Sequence, residues 1–205
     1  MKKKSFESKQ GICPTIAIFD FDGTLVEHDS LWPFLLAVAG RQRCYVACVK
    51  ALWARLTALA GQDRRSLFKE CLLQETLSGI PVDDLAKAAE AISDWPHWIE
   101  TTKKALLAHH EQGHHIVIAS GGLNVYLPRL LTDLPYNSLI CTELEIKDGL
   151  ATGRMSHGGN CVRETKASLI AAYMKENGPF EDSIAYGNLP HDEPMMRLTA
   201  RRVVV

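Results

Sequence analysis

The chain has 205 residues, 46% of them hydrophobic and 23% charged, the balance of an ordinary soluble globular protein able to bury a sizeable core. Lys plus Arg total 23 against 24 Asp plus Glu, and the resulting net charge of −1 argues against a general nucleic-acid binder. Six cysteines without a C-x-x-C pair, a basic start with no apolar run behind it, and no stretch of ~18 apolar residues argue against secreted, disulfide-stapled and membrane-spanning classes. Reduced thiols in a cytoplasmic protein are expected.

The lysine-rich start is expected to be disordered. The first predicted element is the apolar, β-branched run Thr15–Phe19, ending in Asp20. Its unbroken apolarity suits a strand covered on both faces of a parallel sheet. Similar runs are Ile116–Ala119, ending at Ser120-Gly121-Gly122, and Ser183–Tyr186, ending at Gly187-Asn188; the chain closes on Arg202–Val205. Ligands of such sheets bind at the carboxyl ends of strands, so chemistry is sought there.

About ninety residues separate the first two strands, and their pattern is helical. Tyr45, Cys48, Val49, Leu52, Leu56 and Leu59 recur at helical spacing, and these leucines are expected to pack inside a helical bundle. Gly61-Gln62-Asp63 breaks that helix, with Asp63 able to cap the next; Ser78–Pro81 breaks again before Val82–Ile92. Thr101–Gln112 reads as a crossover helix stopped by Gly113. Beyond it come a helix (125–131), a strand (138–142), a hairpin (144–155) turning at Asp148-Gly149, and a helix (164–177). The expected architecture is a doubly wound parallel α/β core of residues 10–26 and 96–205. A helical cap of residues 27–95 is inserted over the strand ends, with Trp95–Trp98 packing the junction.

The strongest chemical signal is Asp20-Phe21-Asp22-Gly23-Thr24. Strand periodicity puts both carboxylates on one side of the chain, and Gly23 lets it turn at once. Carboxylates this close repel and favour a cation to hold both ionised; a hard ion such as Mg²⁺ suits oxygen ligands.

With Ser120 behind IVIAS, Lys166 opening the helix of ETKASLIAAYM, and the run Tyr186–Met195, this string resembles the haloacid dehalogenase superfamily, near its phosphoserine phosphatase-like branch. The motifs stand in that superfamily's order and span nearly the whole chain. The resemblance implies a Mg²⁺-dependent phosphomonoester hydrolase acting on a small phosphorylated metabolite. Asp20 would be the nucleophile forming an aspartyl-phosphate. Asp22 would be the acid and base. Ser120 and the backbone N–H groups of Gly121 and Gly122, at the start of the next helix, would cradle phosphate, with Lys166 neutralising it. Mg²⁺ would be held by Asp20, the Asp22 carbonyl, Asn188 and Asp192. The chain departs from the usual pattern at Asn188, where an Asp is common, so Asn188 is expected to serve as a neutral ligand. Relatives usually carry a helix after the last strand, so a shortened or disordered end is expected. The rival functions are a phosphatase of a lipid-linked phosphate, a phosphotransferase or phosphomutase, and a noncatalytic phosphoester-binding relative.

Asp29 either faces substrate or caps the following helix. His109, His110, His114 and His115 resemble a metal cluster, but a helix end separates the two pairs, so convergence is not expected. Cys44 and Cys48 should pack as small apolar groups. Residues 41–69 carry Arg41, Arg43, Lys50, Arg55, Arg64, Arg65 and Lys69 against the single acid Asp63. The default reading sets these charges in solvent; peripheral contact with an anionic membrane through the basic cap helix is the alternative.

Overall fold

The computed structural model describes residues 14–58, 63–156 and 158–205. The lysine-rich start, Leu59 and the Gly61-Gln62 break lie outside them. Five strands, β1 (Ile16–Asp20), β2 (His115–Leu123), β3 (Ser138–Thr142), β6 (Ser183–Gly187) and β7 (Arg201–Val204), form one parallel sheet in the order β3-β2-β1-β6-β7. Strands β4 (Leu144–Lys147) and β5 (Leu150–Met155) make the predicted antiparallel hairpin. Its turn residues Asp148 and Gly149 have φ of 51° and 76°, the left-handed pair that a two-residue hairpin loop demands.

Every residue of β1 is buried, as its continuous apolarity predicts. The alternation assigns Ala17 and Phe19 to one face, with Ile116, Ile118 and Tyr186. Ile16 and Ile18 go to the other, with Val117 and Ala119. The second face is covered by α6 (Arg163–Asn177) through Ile170 and by α7 (Glu193–Met196) through Met195 and Met196. The first face meets α4 (Glu100–Glu111), whose Leu106 is fully buried. Gly113, just past α4, has φ 72° and ends the helix as expected.

The insertion consists of α1 (Leu31–Thr57), α2 (Arg64–Leu77) and α3 (Val82–Ala91). Asp63 caps α2 by accepting from the Arg65 N–H. The hairpin, although it follows β3 in sequence, joins these helices: Pro81 pairs with Leu150, and Gly79 N–H donates to the Ala151 carbonyl. At the junction Val26 pairs with Trp98, and Glu27 N–H donates to the His97 carbonyl.

Two expectations need correction. The helix after β2, α5, is only Leu127–Leu130, and Ser120–Leu123 continue as strand, so no helix begins at the glycine pair. The second correction concerns α1. Its inward residues are Cys44, Ala47 and Ala51, whereas Tyr45, Val49, Leu52 and Leu56 face out. Small side chains let α1 lie close along α2, and that close fit turns the large ones away. Gly40 interrupts α1 with φ 72° and ψ 164°.

Candidate active site

The carboxyl ends of β1, β2 and β6 open into a cavity of about 560 Å³ whose far wall is α1 and α2. On its floor Lys166, delivered by the first turn of α6, places Nζ 2.7 Å from Asp20 Oδ1 and 2.8 Å from Asp192 Oδ1. All three side chains are buried. Thr24 Oγ1 donates to the second Asp20 oxygen at 3.0 Å. Burial pushes the Asp20 carboxyl above its usual range, opposed by the Lys166 ammonium. Burial also works against the charge on Lys166, but Asp20 and Asp192 outweigh it and hold the amine above the usual lysine range.

Asp22, two residues on, is held differently. Ser30 N–H donates to its Oδ1 at 2.8 Å, and Ser120 Oγ stands 3.5 Å from its Oδ2. Burial first, then the Asp29 and Asp20 charges, push its carboxyl up to about 7 against the Ser30 contact. One carboxylate is thus tied to an ammonium while its neighbour is poised to carry a proton near neutral pH.

The structure brings Asp20, Asp22, Ser120, Gly121, Lys166, Asn188 and Asp192 together around this floor. Ser120 Oγ accepts from the Gly122 N–H at 2.9 Å, so the predicted cradle is a strand end tied to its own serine rather than a helix N-terminus. Asp29 lines the cavity, and its Oδ1 accepts from the Leu31 and Trp32 N–H groups at the start of α1. The two histidine pairs do meet, contrary to expectation: His109 Nδ1 lies 2.6 Å from His114 Nδ1 across the end of α4. His109 also meets Tyr186, whereas His115 meets Tyr173. Among the described residues no cluster of three His, Cys, Asp or Glu side chains forms a metal site.

The oxygen donors suit a hard cation. The Asn188 side-chain nitrogen lies 3.3 Å from the Asp22 carbonyl, and a Cβ on Gly23 would sit 2.5 Å from that nitrogen. Gly23, at φ 78°, therefore serves both the turn and the approach of Asn188. Turning the amide over presents its oxygen instead, and two facing acceptors beside the Asp20 carboxylate are what Mg²⁺ takes, completed by water and substrate oxygens. Asp192 gives Oδ1 to Lys166 and Oδ2 to the Asn188 N–H, at 3.0 Å. It lends charge while orienting its two neighbours.

Lys69 and Arg65 belong to the charge run expected in solvent, and the structure instead turns both to the cavity. The Lys69 ammonium donates to the Gly121 carbonyl, to Asn160 Oδ1 at 2.8 Å and to Thr142 Oγ1 at 3.2 Å. Burial lowers it to about 8 against the pull of Asp29. Arg65 Nη1 lies 3.2 Å from His191 Nδ1. The available signal was spacing: Arg65, Phe68, Lys69 and Leu72 stand at i, i+3, i+4 and i+7 and form one face of α2. Asn160, in the loop before α6, carried none.

A paired-carboxylate floor at the strand ends of a parallel sheet, under inserted helices, defines a class. The model of the family described as haloacid dehalogenase-like hydrolase matches residues 17–197, and the chain belongs to that family. Among curated relatives, the phosphoserine phosphatase SerB2 of Mycobacterium tuberculosis is 29% identical over 187 residues, covering 88% of this chain. The chain spans 41% of that relative's length. Among solved structures, a protein of unknown function from Bordetella pertussis Tohama I superposes with a TM-score of 0.73 at 21% identity, covering 94% of this chain and 90% of that one. A phosphoserine phosphatase carrying an analogue of its phospho-aspartyl intermediate gives 0.62 at 18% identity, covering 95% and 87%. At these identities the two structures speak to the fold alone.

Proposed function

We propose that this chain is a Mg²⁺-dependent phosphomonoester hydrolase working through an aspartyl-phosphate on Asp20, with a small phosphorylated metabolite as substrate. The observation that carries the reading is the division of labour between Asp20, fixed by Lys166 and Thr24, and Asp22, held by the Ser30 N–H with its carboxyl near 7. An Asp20 oxygen attacks phosphorus, and the ester P–O bond breaks. The leaving oxygen takes the Asp22 proton, so an alcohol departs. Water then attacks the phosphorus of the acyl phosphate and gives a proton back to Asp22. Asp20 is regenerated as inorganic phosphate forms. Lys166 offsets the charge gathered on the phosphoryl oxygens, and Ser120, with Oγ 3.5 Å from Asp22 Oδ2, stands beside the group that carries the proton. Asp20, the Asp22 carbonyl and Asn188 would hold Mg²⁺, beside Asp192; the ion supplies charge neutralisation when bound.

The names of the relatives make phosphoserine the first substrate to try. The cavity wall also carries Leu31, Trp32, Leu35, Phe68 and Leu72, an apolar surface that a serine leaves uncovered. The decisive measurement is therefore phosphate release across a panel that runs from phosphoserine to phosphoesters with larger apolar alcohols, with Mg²⁺ and with EDTA. Asp20→Asn is expected to lose more than about a thousandfold in turnover, because an amide is no nucleophile. Turnover at the wild-type rate in Asp20→Asn, or activity indifferent to EDTA, overturns the proposal.

A further inference from the structure

The second half of α1, residues 41–57, exposes Tyr45, Val46, Val49, Leu52, Trp53 and Leu56. Tyr45, Trp53 and Leu56 are 72%, 69% and 71% exposed. At the helical advance per residue these six side chains fall in one sector of about 120°. The opposite sector holds Cys44, Ala47 and Ala51, buried against the rest of the insertion. Basic side chains rim the stripe on both sides, Arg41 and Arg55 along one edge and Arg43 and Lys50 along the other. From Leu31 to Thr57 there is no Asp or Glu at all.

We infer that this outward face of α1 is a docking surface for an anionic lipid bilayer, on which the helix lies in the plane of the headgroups. Charge complementarity selects the occupant. A second copy meeting this face with its own would bring the Arg41 and Arg55 edges together with no carboxylate from α1 between them, since Glu75, the acid at the rim, is already paired with Lys50 at the other edge. Anionic headgroups supply the missing charge and leave the apolar stripe in the acyl boundary. Lys50 is paired with Glu75, and Arg43 donates to the Glu75 carbonyl. Arg41 and Arg55 make no ion pair among the described residues and are the ready contacts. Trp53 and Tyr45 are the side-chain types that settle at a membrane–water interface. Attachment is peripheral, since among the described residues no helix is long and apolar enough to cross a membrane. Because α1 also lends Leu31, Trp32, Leu35 and Cys48 to the cavity wall, docking would place the site beside the bilayer. The inference stands whether or not the proposed reaction is correct.

The test is co-sedimentation of the full chain with vesicles of phosphatidylcholine plus phosphatidylglycerol, compared with pure phosphatidylcholine, at low and high salt. Wild type is expected to sediment with the anionic vesicles and to be released by salt. The double variant Leu52→Glu with Leu56→Glu, at exposed positions, is expected to lose at least about tenfold in partitioning, with its circular dichroism and melting unchanged. Arg41→Gln with Arg55→Gln should weaken binding without touching the apolar stripe. Equal sedimentation of wild type and the glutamate variant would trace binding to Lys2, Lys3 and Lys4, which that variant keeps, and overturns the inference. So does an absence of binding, or a lipid-free dimer by sedimentation velocity that the glutamate variant dissociates.

Discussion

The sheet and the first helix of the insertion treat their apolar residues in opposite ways. In β1 all five residues are buried, and neighbours in sequence face two separate clusters of side chains. In the second half of α1 the large apolar residues are outside and alanine and cysteine are inside. A periodic apolar pattern therefore identifies a coherent face, but only the surroundings decide whether that face is covered. For a central strand of a parallel sheet the surroundings are guaranteed, because crossover helices lie on both sides. For a helix at the outer edge of an insertion they are not.

Substitutions can sharpen this contrast. The largest expected effect is at Phe19, fully buried and stacked on Tyr186 with ring centroids 4.4 Å apart. Phe19→Ala should cost about 3–5 kcal/mol in denaturant unfolding. Next is Lys69→Met, which strips the ammonium from Gly121, Thr142 and Asn160 and should cost about 1–2 kcal/mol. It should also raise KM more than it lowers kcat, because it loosens the strand end beside Ser120; steady-state kinetics of phosphate release decide that. A smaller effect is expected from pH. Burial, then His114 and Arg201, lower His109 below the ordinary histidine value of about 6.5. The folded state thus resists a proton that the unfolded chain accepts. The contribution of His109 is complete above about 6.5 and is lost as pH falls through the depressed folded value. Melting followed from pH 7 to 5 should show this decline, and His109→Gln should remove its share. The smallest effect is assigned to Leu56→Ala, within about 0.5 kcal/mol of wild type in lipid-free buffer. A loss there approaching that of Phe19→Ala would erase the contrast.

Much of the site was legible in the sequence because it rests on strand ends. Asp20 and Asp22 close an apolar run, Ser120 closes another, and Asn188 follows a third, so a parallel sheet necessarily brings them to one edge. Lys166 was legible only through the family resemblance, by its order after the aspartate pair, since a lysine at a helix start by itself reads as a solvated charge. Lys69 and Arg65 were hidden, because a run of cations shows no sign of which side chain turns inward until the packing of α2 is known. The cradle was misread for a related reason. Two glycines after Ser120 look like the start of a helix, yet the strand continues through them and the Gly122 N–H goes to Ser120 Oγ. Local flexibility permits a helix start without requiring one.

Gly40 explains how α1 escapes the simple rule. Continued as one unbroken helix, Leu31, Phe34 and Leu35 would fall in the same angular sector as Val49, Leu52 and Trp53. Yet Phe34 and Leu35 are fully buried while the later three are exposed. The single residue at φ 72° and ψ 164° resets the angular phase between the two halves. A Cβ there would meet nothing within 4 Å, so the demand on glycine is for backbone conformation and not for space. Gly40→Ala would favour a continuous helix, and a continuous helix must either draw Phe34 and Leu35 out of the core or roll Leu52 and Trp53 into it. One residue thus acts as the clutch between the half of the helix that faces the site and the half that faces outward.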